Sequence, residues 1–204
     1  HDVTVLNRGN LSDGFGSKVK RITCDRKNQT EMTKALDNES WDIVYDQVCF
    51  NAIDSKAATE IFKDRVKHYI FTSSLSVFDP GVNLSEDDFD PYSYKYKEVA
   101  DEKTQYAEAK RQCEAVFFQN QSFDVTAVRF PFVLGTDDYT GRLKFHIDYI
   151  NQEKPIYFPN INARVSLISS DDAANVLEFL STQKPQGPLH AASVEPISLK
   201  DFVK

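Results

Sequence analysis

Short apolar runs alternate along this chain with longer segments of helical period. "DVTVLN" at 2–7 is a β-branched run closed by the turn signal "RGN", and it reads as a buried strand. "KVKRIT" at 18–23 alternates charged and apolar residues and reads as a second strand. "TEMTKALDNES" at 30–40 is helical in pattern, and "DIVYDQVC" at 42–49 is a third strand. "SKAATEIFKDRV" at 55–66 sets Ala58, Ile61, Phe62 and Val66 on one face, the mark of an amphipathic helix. "HYIFTSS" at 68–74 is a fourth strand, followed by a long acidic loop at 79–101. A helix over 102–118 carries the stripe Tyr106, Ala109, Cys113, Val116 and Phe117. "FDVTAVRF" at 123–130 is a fifth strand, helices follow at 141–152 and 171–182, and "PLHAAS" at 188–193 is a last strand. "SLKDFVK" then opens one more helix.

Strands and helices in this alternation predict an α/β fold, a doubly wound, Rossmann-like parallel sheet. The expected division is a nucleotide-binding part at 1–135 and a smaller substrate-side α/β part at 136–204, whose helices return to the core. In such a sheet a glycine-rich turn after the first strand cradles phosphate at a helix N-terminus. No G-x-G-x-x-G occurs, and "GFG" at Gly14–Gly16 leads into a strand, which suits a solvent turn. The expectation is that the chain starts at the second strand of the fold and is cut at both ends.

Composition narrows the class. With 204 residues, 41% hydrophobic and 27% charged, the chain can bury one sizeable core. A net charge of −7 opposes binding to a phosphate backbone, so nucleic acid is disfavoured as a partner. No apolar run of about 18 residues suits a membrane span. Cys24, Cys49 and Cys113 lie far apart, with neither metal spacing nor a disulfide framework, which suits a reducing cytoplasm. The four histidines, His68 and His190 among them, are scattered and suggest no metal site.

Three features converge on one sheet edge. Ser73 and Ser74 end the fourth strand, and ligands of open α/β sheets bind at the carboxyl ends of strands. Tyr106 and Lys110 are four residues apart and share a helix face. Arg129, Phe130 and Pro131 end the next strand. Asp46 is an acid within an apolar strand. Lining the site and binding a neighbouring backbone group are both open to it.

On "FTSSLSVF", "YAEAK", "VRFPFVLG", "VSLISSDDAANVLEFL" and "PLHAASVEPISLKDF", in that order, the chain resembles the extended short-chain dehydrogenase/reductases, the NAD-dependent epimerase/dehydratase group. Through "LNRGN" and "YDQVCF" it is most similar to reductase-like members related to chloroplast stem-loop RNA-binding proteins. The resemblance implies an oxidoreductase or sugar-nucleotide-type epimerase/dehydratase. Tyr106 would be its proton carrier, Lys110 would favour the phenolate and hold the nicotinamide ribose, and Ser74 would orient the reacting oxygen. Ser73, Gln47, Cys49, Pro131, Phe132 and Val133 would line the cofactor, and Asp25 would touch the adenine amine. Arg8, where an acid usually meets the ribose of NAD, points to NADP over NAD. Arg142 and Arg164 match positions that clasp a nucleotide-sugar phosphate or another anion.

The plainer alternative for Asp25 is a helix cap, and for Arg142 and Arg164 it is an ordinary surface arginine. The implied partner is a small-molecule substrate, with a nucleotide sugar as one candidate. The implied assembly is a homodimer paired through the Tyr–Lys helix. The acidic loop, with Asp87, Asp88, Asp90, Tyr92, Tyr94 and Tyr96, reads as a solvated lid beside the site. The competing reading is a relative of the same fold that binds RNA or senses the dinucleotide without catalysis.

Overall fold

A computed structural model of the protein describes residues 1–97, 105–120, 122–136 and 138–204. Its core is a parallel sheet with strand order β3-β4-β5-β9, made of Trp41–Asp46, Val66–Ser74, Asp124–Phe130 and Leu189–His190. The central strands are apolar on both faces, as strands covered on both sides must be. Tyr69, Phe71, Val125 and Ala127 turn to one core, with Cys113 and Phe117 of α3 (Tyr106–Asn120) and Ala58 and Ile61 of α2 (Ala52–Ile61). Ile70, Val128 and Phe130 turn to the other, against Ala173 and Leu180 of α5 (Ser170–Ser181). This alternation along β4 and β5 places helices on both faces, which is the doubly wound arrangement.

β1 (Thr4–Asn7) and β2 (Lys20–Thr23) form a separate parallel pair, with α1 (Gln29–Ala35) after them. Leu6 and Ile22 pack on the same core as Val44 and Tyr69. β1 has β2 as its one partner and β3 has β4, so each keeps an open edge among the described residues. Two further small pairs join β6 (Phe132–Leu134) to β8 (Leu167–Ser169) and β7 (Arg164–Val165) to β10 (Ile197–Ser198). α4 (Arg142–Asn151) and α6 (Leu199–Phe202) complete the elements.

Local chemistry explains the element ends. The side chains of Asn28, Asn51, Ser169 and Ser198 accept backbone N–H groups at the starts of α1, α2, α5 and α6. Asn28, not Asp25, is therefore the cap of α1; Asp25 instead accepts the N–H of Lys27 in a local turn. α2 stops at Ile61, so Val66 belongs to β4 rather than to the face of a helix. Residues 98–101 of the acidic loop and 102–104 of the expected helix lie outside the described residues.

Candidate active site

Because β3, β4 and β5 are parallel, their carboxyl ends share one rim, where Ser73 pairs with Arg129 and Ser74 with Phe130. Ser74 is where β4 stops. Its hydroxyl accepts the N–H of Ser76 at 3.1 Å and opens a short 3-10 turn, Leu75–Val77. α3 begins at Tyr106, which keeps 51% of its surface exposed while the following turns of the helix sink into the core.

Burial pushes the Tyr106 phenol above the ordinary tyrosine range; a hydrogen bond from Ser74 and the positive charge of Arg142 work the other way. The Arg142 guanidinium also lies 5.6 Å from the Phe132 ring centroid. Ser74 thus ends β4 and Phe132 follows the end of β5 on this rim, Tyr106 opens α3, and Arg142 lies over the Phe132 ring.

Lys110 is 1% exposed. Its Nζ donates to the carbonyls of Cys49 at 2.8 Å and Thr72 at 2.9 Å, joining the end of the β3 segment to β4. The rings of Phe71 and Phe50 lie 4.7 and 4.8 Å from it, and that of Tyr106 at 5.9 Å. Burial lowers its pKa, against the pull of the Cys113 and Cys49 sulfurs and Asp46. An ammonium has three protons. Two are used on the carbonyls, which leaves one for a further acceptor.

The remaining residues singled out in the sequence fall into three groups. Gln47 is exposed beside the rim, where its Oε1 accepts the Thr72 hydroxyl at 3.0 Å. Pro131 and Val133 are half-buried in the β5–β6 connection next to exposed Phe132. Arg8 and Asp25 lie past the ends of β1 and β2, exposed and half-buried respectively.

Three side chains are turned to other tasks. The Ser73 hydroxyl donates to Glu114 within the core and the residue is 3% exposed, so the strand's alternation takes it off the rim. Cys49 is fully buried with its Sγ against Ser55 and 3.8 Å from Cys113 Sγ; its carbonyl, not its thiol, serves the site. Burial drives the Cys49 thiol pKa well up, whereas bonds from Cys49 and Ser55 and the charge of Lys110 outweigh burial to hold Cys113 low. Arg164 donates to the carbonyl of Pro196 in the small β7–β10 sheet.

Asp46 finds partners that the sequence left open. Its carboxylate accepts Arg26 Nη1 and the Tyr69 hydroxyl, each at 2.6 Å, and the N–H of Val48 at 3.1 Å. Burial works against the Arg26 charge, but Asp46 outweighs it and raises the guanidinium pKa. His68 shares a hydrogen bond with the Thr126 hydroxyl in the core. The charged pair Glu114–Arg129, fully buried at 2.8 Å, was not read as a pair from the sequence. Its one sequence signal is the third step of the spacing 106, 110, 114 on a single helix face.

No family model matches the chain. Solved structures do. WbmG of Bordetella bronchiseptica in complex with NAD and UDP superposes with a TM-score of 0.74 at 13% identity, over 100% of this chain and 68% of that one. UDP-glucose 4-epimerase of Thermus thermophilus with NAD gives 0.72 at 13% identity, over 98% and 73%. Epimerase Mth375 of Methanothermobacter thermautotrophicus gives 0.76 at 11% identity, over 99% and 67%. The fold is theirs. Among curated proteins, the chloroplast stem-loop binding protein of 41 kDa b of Arabidopsis thaliana is 24% identical over 204 aligned positions, or 90% of this chain. The chain spans about half the length of that relative, 50%. No helix among the described residues is long and apolar enough to cross a membrane.

Proposed function

We propose that this chain forms the catalytic face of an NAD(P)-dependent oxidoreductase or epimerase/dehydratase acting on a small polar substrate of the nucleotide-sugar type. The observation that carries the reading is the arrangement at the carboxyl rim: Ser74 ends β4, Tyr106 opens α3 half-exposed, and the Lys110 ammonium one turn further along that helix face lies 5.9 Å from the Tyr106 ring centroid. Tyr106 passes a proton to or from the substrate oxygen, Ser74 holds that oxygen, and the Arg142 charge eases loss of the phenolic proton.

The donor set fits the nicotinamide-riboside end of a dinucleotide. Lys110 has one proton left for a ribose hydroxyl, and Gln47, Pro131, Phe132 and Val133 are placed at the same edge. When bound there, the nicotinamide supplies hydride exchange. Arg8, the exposed cation beyond β1, favours NADP over NAD. The described residues hold no glycine-rich turn leading into an α-helix: Gly14 precedes, and Gly16 opens, a three-residue 3-10 turn. The WbmG and Thermus structures contain NAD and UDP or carry the name UDP-glucose 4-epimerase, and they support this class of ligand. We assign the protein to the cytoplasm from its unpaired thiols, and a homodimer from the family resemblance.

The test is a fluorescence titration of NADPH and NADH on the full-length gene product, repeated with Tyr106→Phe. Retained binding with lost turnover supports the reading. Failure to bind either dinucleotide overturns it. A second reading, RNA stem-loop binding, is favoured by one observation, the likeness to the chloroplast protein. A steeply salt-sensitive RNA affinity together with no dinucleotide binding would establish it instead.

A further inference from the structure

Arg129 is the largest side chain that is fully buried. Its Nη2 donates to Glu114 Oε2 at 2.8 Å and its Nε to both Glu114 oxygens, at 3.1 and 3.3 Å. Its remaining protons leave the pair. Nη1 donates to the Glu86 carbonyl and Nη2 to the Phe89 carbonyl, both at 2.9 Å. The Phe78 and Phe89 rings lie 4.9 and 5.3 Å from the guanidinium carbon. Glu86 in turn accepts the backbone N–H of His190 at 2.9 Å. The Glu114 carboxylate also accepts the Ser73 hydroxyl. One ion pair thus ties together α3, β4, β5, the segment 86–89 and, through Glu86, β9. The acidic segment is strapped to the core at this point instead of lying free as a solvated lid.

Burying two charges costs more than burying apolar groups of the same size, so stability alone does not explain the pair. Its geometry does. Glu114 stands two helical turns beyond Tyr106 on the same face, and it fixes Ser73, the neighbour of Ser74. Successive strand residues point to opposite sides. Holding the Ser73 hydroxyl in the core therefore holds Ser74 at the rim.

We propose that Glu114 and Arg129 are positioning residues: the pair straps 86–89 against the carboxyl rim and, through Ser73, fixes Ser74 at that rim. The consequence for turnover rests on the proposed role of Tyr106, whereas the strap and the placement of Ser74 do not.

The test is the double variant Glu114→Leu/Arg129→Met, which removes both charges at similar volume and so avoids an unpaired buried charge. Three quantities are read: amide hydrogen exchange at 86–89, titration of the Tyr106 phenol by 13Cζ-tyrosine NMR (assigned with Tyr106→Phe), and steady-state turnover. Exchange at 86–89 should accelerate by about tenfold or more. The Tyr106 phenol should titrate at higher pH, because Ser74, whose side chain lowers it, is no longer held in place. The kcat should fall by about tenfold or more with the dinucleotide KM within about twofold, since small misplacements at a reacting centre cost rate. A folded double variant with native protection at 86–89 and native Tyr106 titration overturns the proposal. If the wild type turns nothing over, the oxidoreductase reading fails while exchange and titration still decide this one. Should the double variant not fold, Ser73→Ala cuts only the link to β4: the phenol titration should rise with exchange at 86–89 unchanged, and an unmoved titration overturns the proposal.

Discussion

Replacing Lys110 with Met separates the structural from the chemical work of that residue. The wild-type ammonium makes two charge-assisted hydrogen bonds, to Cys49 O and Thr72 O, each worth about 1.5–3 kcal/mol. Contacts with Phe71 and Phe50 add about 0.5–1 kcal/mol each. Against these stands desolvation of the ammonium, several kcal/mol for a buried ion in general terms, and visible here in its lowered pKa. Met keeps the apolar stem but leaves two carbonyls without their donor, at about 1–3 kcal/mol each if water does not reach them. The balance is a net loss of about 1–4 kcal/mol. For a chain of this size the urea m-value is about 2 kcal/mol/M, so the midpoint should fall by about 0.5–2 M. The assay is urea unfolding of cofactor-free protein followed by circular dichroism. A midpoint equal to or above that of the wild type would refute the reasoning. The ammonium would then be a net burden on the fold, retained for chemistry alone. Loss of turnover in this variant is informative only when measured well below its midpoint.

Asp46→Asn should cost about 2–4 kcal/mol in the same assay, because it leaves the Arg26 charge with no carboxylate partner; Arg26→Met/Asp46→Leu should recover most of that, and no recovery would count against the pair as the cause. The lysine pKa of 10.5 is lowered in the folded state, so between the folded value and 10.5 the unfolded chain binds more protons and the Lys110 contribution to stability grows as pH rises. The stability difference between wild type and Lys110→Met should shift in favour of wild type across that alkaline window, and a constant difference would be inconsistent with a depressed pKa. Arg142→Ala should move the Tyr106 phenol titration to higher pH, read by NMR, since it removes a charge that favours the phenolate; an unmoved titration removes Arg142 from the site. Arg8→Glu should weaken NADPH binding by about tenfold or more while sparing NADH, as expected if a cation meets the 2′-phosphate; equal losses would refute the NADP assignment.

The sheet was legible because its strands are buried on both faces. "HYIFTSS" and "FDVTAVRF" each put apolar residues on both faces, Tyr69 to Phe71 in the first and Val125, Ala127 and Val128 in the second, and the structure places them as the adjacent strands β4 and β5. What the sequence could not show are elements too short to display a period. β6 to β8 and β10 have two or three residues each and exist through their pairing with distant segments. The rim showed a similar split. Ser74, Tyr106 and Lys110 lie on regular elements whose spacing gives their direction, so their convergence could be expected. Ser73 and Cys49 could not be separated from their neighbours by sequence, since which side chain turns inward depends on a register that only the folded sheet fixes. Asp46 stood as an acid in an apolar strand, but its partner Arg26 and the pair Glu114–Arg129 join different elements.

The stripe Tyr106, Lys110, Glu114 runs from rim to core in two helical turns. Its members are 51%, 1% and 0% exposed. The three side chains do successively different things: one meets the rim, one ties strands by their carbonyls, one anchors an ion pair. Their burial bears on the RNA reading. Arg129 is buried against Glu114 and Asp46 is buried beside half-buried Arg26. Lys110 is buried on carbonyls, and among the described residues the buried charges Asp46, Lys110, Glu114 and Arg129 cancel. The charge outside this buried set is then the −7 of the sequence. A backbone of phosphates meets net repulsion there, whereas a single small anion needs only one local cation, such as Arg142. The net negative charge thus favours the small-molecule reading on electrostatic grounds.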